Sequence, residues 1–106
     1  MKKPSLSKKE KEEKDKIWAN AVKERDGHKC QWCGTTNRLT ADHIFSRKVL
    51  ATRWVVANGL VLCVGCHIFK KRYEPMEWAL VVIRKLGLKK IEELEELHHA
   101  KSDSRV

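Results

Sequence analysis

Apolar residues recur at helical spacing over Ile17, Trp18, Ala21 and Val22, and this stripe predicts a helix leading out of a strongly charged N-terminal run. Ser7, with Glu10 three residues later, reads as a capping box that starts the helix. Asp26-Gly27 ends it after about Arg25. The residues before about Lys16 are mostly Lys and Glu and have little to bury, so they form either a solvated helix or disordered chain. The period then changes. Leu39 to Ile44 alternates weakly as a short strand, and Gly59 to Leu62 reads as a second one. A loop of about a dozen residues joins the two strands, and a helix follows from near Cys66 to about Arg72. Pro75 suits the first turn of a further helix, with Trp78, Ala79, Val82, Ile83 and Leu86 on one face. Lys85 followed by Gly87-Leu88 reads as a Schellman-type stop. That helix is apolar most of the way round, which predicts burial in the domain or against a partner. Leu88, Ile91, Leu94 and Leu97 mark a last helix over about Lys89 to His99, with Glu92, Glu93, Glu95 and Glu96 on its acidic face.

The fold class expected is α+β. The chain divides into a charged extension (1–16), a core with its leading helix (17–74), a helical pair (75–100) and a tail (101–106). A chain of 106 residues makes one domain at most and buries a modest share of its surface, so a metal staple is a natural supplement. Net charge is +9, which favours phosphate-rich partners. From Gly27 to Tyr73 there are eight Lys or Arg and one acidic residue, Asp42. The Lys- and Glu-rich N-terminus is no signal peptide. The longest uncharged run, Trp54 to Phe69, is short for a membrane span and carries Asn58, two cysteines and His67. The expectation is a soluble protein of a reducing cytosol, with no membrane partner.

All four cysteines fall in two Cys-X-X-Cys pairs, Cys30/Cys33 and Cys63/Cys66. In a reducing compartment such pairs read as zinc ligands, each supplying two sulfurs to a tetrahedron from one turn of backbone. Gly34 supplies the turn after the second ligand. A zinc ion held by four cysteines is saturated and therefore structural. Asp42-His43 lies between the pairs, His67 follows Cys66, and Asn58 precedes the second strand. Singly, each has a plain structural reading: Asp42 as a cap, His43 as a packed strand residue, His67 as a first-turn residue, Asn58-Gly59 as a turn. Together on one zinc scaffold they point to a site. Neighbours on a strand face opposite ways, which suggests one metal ligand and one base for Asp42 and His43.

The string Arg25-Asp26, Cys30-Gln31-Trp32-Cys33-Gly34, Ala41-Asp42-His43-Ile44, Asn58-Gly59-Leu60-Val61-Leu62-Cys63, Cys66-His67 and Lys70 resembles the HNH endonucleases. These are ββα-metal nucleases, here in the subgroup with a four-cysteine zinc site. The likeness covers about residues 25 to 72, and Ser46-Arg47, Arg53-Trp54 and Glu77-Trp78 are similar to small phage-encoded members. It implies a zinc-stapled ββα-metal core that hydrolyses DNA to a 5′-phosphate and a 3′-hydroxyl. His43 is then the general base, Asp42 and His67 hold a divalent cation, and Asn58 braces the inter-strand loop and helps orient His43. In relatives of the endonuclease VII type the position of His67 is Asn. An Asp/His pair accepts Mg²⁺, Mn²⁺, Ni²⁺ or Zn²⁺, with Mg²⁺ or Mn²⁺ expected as the working ion. Arg47, Lys48 and Arg53 in the loop, and Lys70, Lys71 and Arg72 on the following helix, flank this position as DNA contacts. No base-reading helix is evident, so sequence preference is weak, and one site in a monomer or weak dimer nicks. The alternative is a non-catalytic zinc-stapled DNA-binding or adaptor module of a phage packaging or recombination complex.

Overall fold

The computed structural model describes residues 6–103 of the chain. Its architecture is α+β, a two-stranded antiparallel sheet wrapped by five helices. Helix α1 (Lys8–Arg25) starts at Ser7, whose hydroxyl accepts the Glu10 N–H while the Glu10 carboxylate accepts the Ser7 N–H, the predicted capping box. It runs unbroken across the expected boundary at residue 16, and residues 1–5 lie outside the described part. Trp18 and Val22, one turn apart, are buried. Ile17 departs from the predicted stripe and is 71 % exposed, because a step of one residue turns it about 100° from the face that Trp18 buries.

Strand β1 (Leu39–His43) pairs with β2 (Gly59–Cys63), Leu39 opposite Cys63 and His43 opposite Gly59. β2 is the axis of the core. Its apolar run Leu60-Val61-Leu62 is wholly buried because both faces are covered. Val61 packs with Trp18 and Val22 of α1. On the opposite face Leu62 meets Cys30 and Cys66, and Leu60 meets Val81 and Val82. Each fully buried Leu or Val contributes about 1.5–3 kcal/mol. Gly59 serves close approach instead of a turn. Its φ of −132° is ordinary extended backbone, but a Cβ there would come within 2.6 Å of both Trp18 and Val22.

Segment 44–58 between the strands is more ordered than the predicted loop. It contains α2 (Leu50–Arg53) and a 3₁₀ turn over Val56–Asn58. After β2 a π-wound turn, Cys66–Lys70, passes directly into α3 (Lys71–Tyr73). Helix α4 (Pro75–Leu86) buries Val81 and Val82, with Trp78 and Leu86 partly covered. Of the two expected ways of burying α4, the domain itself supplies only part, since Met76, Leu80 and Ile83 are exposed. α4 ends at Gly87, whose N–H reaches the Ile83 carbonyl at 2.8 Å. With ψ at 148° the chain leaves extended, without the expected Schellman loop, and enters α5 (Leu88–Asp103) at once. α5 lies over segment 44–58, where Leu94 is buried and His98 Nδ1 sits 3.2 Å from the Thr52 hydroxyl. Among the described residues no helix is long and apolar enough to cross a membrane.

Candidate functional site

The four cysteine sulfurs all lie within 4.8 Å of one another. Each pair is shaped by its own backbone. The Cys33 N–H points at Cys30 Sγ (3.5 Å) and the Cys66 N–H at Cys63 Sγ (3.4 Å), which turns each Cys-X-X-Cys into a knuckle. Gly34, at φ +84°, completes the first knuckle by donating to the Cys30 carbonyl. The Gln31 N–H donates to the Val61 carbonyl at 2.9 Å, which ties the first knuckle to β2. Zinc at about 2.3 Å from each of four sulfurs sets them roughly 3.8 Å apart. Cys33 and Cys63 are 3.7 Å apart, so the cluster can hold a structural metal such as zinc. Burial pushes the Cys66 thiol far up. Burial also opposes ionisation of Cys30, but backbone hydrogen bonds led by Cys33 outweigh it and bring that thiol to about 6. A divalent cation bound there would supply the charge that lets all four act as thiolates.

Beside this cluster is a cleft of about 450 Å³ lined by Asp15, Trp18, Asp42, His43, Arg47 and His67 among others. Asp42 and His43 are adjacent on β1, yet both reach this one cleft. Asp42 is buried, and its carboxylate takes two partners from the helical segment after β2. Lys71 Nζ donates to Oδ2 at 2.7 Å, and His67 Nε2 lies 3.4 Å from Oδ1. The other His67 nitrogen is 3.4 Å from the Thr40 hydroxyl, which in turn donates to the Leu62 carbonyl. His67 follows Cys66 directly, so the cysteine cluster sets where its ring begins.

His43 is held differently. Its Nε2 is 2.8 Å from the Arg53 carbonyl, and its ring stacks on Trp18 at 3.9 Å and 7°. A carbonyl oxygen only accepts, so Nε2 carries the proton and Nδ1 of the neutral ring keeps its lone pair. Burial pulls His43 below the usual imidazole range and the Arg47 charge adds to this, against the opposing pull of the Arg53 carbonyl. The ring is therefore neutral at physiological pH and able to accept a proton.

Two ligand atoms on one ion at roughly 2.1 Å stand roughly 3.0–3.4 Å apart. Asp42 Oδ1 and His67 Nε2, at 3.4 Å, fit that span and leave most positions of an ion open. The ammonium of Lys71 already neutralises Oδ2, so a cation there shares the carboxylate with it or displaces it. Among the described residues, the four cysteines are the one group of three or more Cys, His, Asp or Glu donors gathered at ligand spacing.

The remaining predicted residues separate into two sets. Asn58 is fully buried outside the cleft lining. Its amide accepts the Phe45 N–H (2.8 Å) and donates to the Phe45 and Thr52 carbonyls (3.1 and 3.0 Å). It thus braces segment 44–58, and it touches the backbone on both sides of the His43 contact, at Ile44 and Phe45 after His43 and at Thr52 before Arg53. Arg47, Lys48 and Arg72 are exposed, and Lys70 lies over the Trp32 ring at 5.0 Å. Arg53 does not serve as an open phosphate contact. Its side chain is only 11 % exposed and pairs with Asp15 through two nitrogens, at 3.0 and 2.8 Å. Lys71 is likewise engaged, by Asp42. The sequence reading missed Asp15 and the stacking role of Trp18. Asp15 is one charge in a run of charges and carries no local signal, whereas Trp18 was legible only as a core residue. Compared with known proteins, the chain matches no family, no curated protein and no solved structure.

Proposed function

We propose that the protein is a metal-dependent DNA endonuclease of the HNH type, with the four-cysteine cluster as its structural zinc site. The observation that carries this reading is the 2.8 Å contact of His43 Nε2 with the Arg53 carbonyl, in a cleft that His43 shares with Asp42 and His67. In hydrolysis His43 Nδ1 takes a proton from water, the water oxygen bonds to phosphorus, and the bond to the 3′ oxygen breaks with that oxygen taking up a proton. Asp42 and His67 would hold a divalent cation, Mg²⁺ or Mn²⁺ by preference, which when bound would supply Lewis-acid charge for the phosphate and the leaving oxygen. Arg47 and Lys48 near the cleft, with Lys70 and Arg72 on the helical segment, attract the phosphate backbone without reading sequence. One such centre nicks a single strand.

The Lys71 ammonium on Asp42 favours a second reading, a non-catalytic zinc-stapled DNA-binding or adaptor module in a phage packaging or recombination complex. In such a module the ion pair is simply structural. Protein stripped of metal, refilled with one equivalent of zinc and mixed with supercoiled plasmid separates the two. The endonuclease relaxes the plasmid only when Mg²⁺ or Mn²⁺ is added, and Asp42→Ala abolishes the response. Gel-shifted but intact plasmid under every cation, Ni²⁺ and excess Zn²⁺ included, assigns the binding module instead.

A further inference from the structure

Asp15 stands on α1, outside the segment that carries the nuclease resemblance, yet it lines the same cleft as His43. Its carboxylate gathers four donors. Arg53 Nε and Trp54 Nε1 reach Oδ1 at 3.0 and 2.8 Å, and Arg53 Nη2 and Arg47 Nη2 reach Oδ2 at 2.8 and 3.3 Å. Two-point pairing fixes the orientation of a guanidinium as well as its position. Residue 53 is also the one whose carbonyl receives His43 Nε2. Asp15 therefore grips the side chain of the residue whose backbone grips the imidazole.

Trp18, on the next turn of α1, covers the His43 ring, and its Nε1 donates to the Val55 carbonyl at 2.8 Å. Helix α1 so holds the 53–55 stretch at two points and the ring at a third. On its other side the stretch is tied through Thr52, whose carbonyl accepts from Asn58, whereas the Arg53 side chain is held by Asp15. Without Asp15, the nearly buried Arg53 guanidinium would lose its counter-charge, and the stretch would have to open to hydrate it.

We infer that Asp15 is a positioning residue for His43. It acts through Arg53 to hold the carbonyl that keeps the imidazole proton on Nε2, and its value for catalysis rests on the endonuclease reading above. The first test uses the zinc-loaded full chain and reads the His43 tautomer from long-range proton–nitrogen spectra of the imidazole. In Asp15→Asn the Nε2-protonated form gives way to a tautomer mixture, and Asp15→Glu partly restores it. The second readout is single-turnover plasmid nicking, which falls roughly 10- to 100-fold in Asp15→Asn while DNA affinity holds. An unchanged tautomer in Asp15→Asn overturns the proposal whatever the rate. If that variant does not fold, Arg53→Lys keeps the charge but loses the two-point contact, and its tautomer decides in the same way. Wild-type protein that never nicks removes the endonuclease reading, while the tautomer still decides the role of Asp15. Wild-type nicking with an undisturbed tautomer in Asp15→Asn removes the positioning role and leaves that reading in place.

Discussion

The cysteine cluster and the adjacent cleft occupy neighbouring space but are built in opposite ways. The cluster is local: two short knuckles, each shaped by a backbone N–H on its own first sulfur, brought together by one strand pair. The cleft draws on four separate parts of the chain. Asp15 and Trp18 come from α1, Asp42 and His43 from β1, Arg47 and the Arg53 carbonyl from segment 44–58, and His67 from the turn after β2. A local device tolerates change elsewhere, whereas a site assembled from distant elements fails when any one of them shifts.

This contrast breaks most severely at Cys66→Ser. Structural zinc contributes on the order of 10 kcal/mol in small modules, more than a domain of this size has to spare. Circular dichroism should show no cooperative melt, and cobalt should give no tetrathiolate absorption. A cooperative melt with a full metal equivalent would place the cluster outside the folding unit. Gly59→Ala should damage the cleft and spare the cluster. The new methyl meets Trp18 and Val22 at 2.6 Å, so α1 must move off the sheet at a cost of about 1–3 kcal/mol. Denaturant melts should report that loss with the cobalt spectrum intact, and a wild-type midpoint would show that α1 packs differently. Arg47→Ala removes an exposed cation at the cleft mouth together with its 3.3 Å contact to Asp15, weakening DNA binding for every sequence and lowering the salt slope by about 1. Binding titrated over salt checks this, and an unchanged slope takes Arg47 off the contact surface.

The smallest effect is on pH. His43 lies below its ordinary value of 6.5, and a base works only when deprotonated. Nicking should therefore rise with pH about a midpoint below 6.5, the ordinary imidazole value. A midpoint above 6.5 means that a different group takes the proton.

The difference in construction also decides what could be read from the chain. Knuckles, caps and the buried strand depend on residues a few positions apart, so the capping box at Ser7, the Cys-X-X-Cys pairs and Leu60-Val61-Leu62 were all legible. Pairings across long stretches were not. Asp15 reaches Arg53 across 38 positions, and nothing in a Lys/Glu run distinguishes that carboxylate from its neighbours. Arg53 was read by its charge as a surface contact because its partner lay outside the motif. Gly59 sat in an Asn-Gly pair that signals a turn, and only the approach of Trp18 shows its purpose. The apolar surface of α4 was legible only in part, for a related reason: composition counts apolar residues but does not say which of them the sheet covers.

The central claim is that His43 in the cleft, and not the cysteine cluster, does chemistry on DNA. Single-turnover nicking of supercoiled plasmid by wild type and His43→Ala, both with cobalt in the cluster and Mg²⁺ or Mn²⁺ added, tests it most directly. The account predicts the same cobalt absorption in both proteins and a rate at least about 100-fold lower in the variant. Equal rates from the two proteins, with the cluster intact in each, would contradict it.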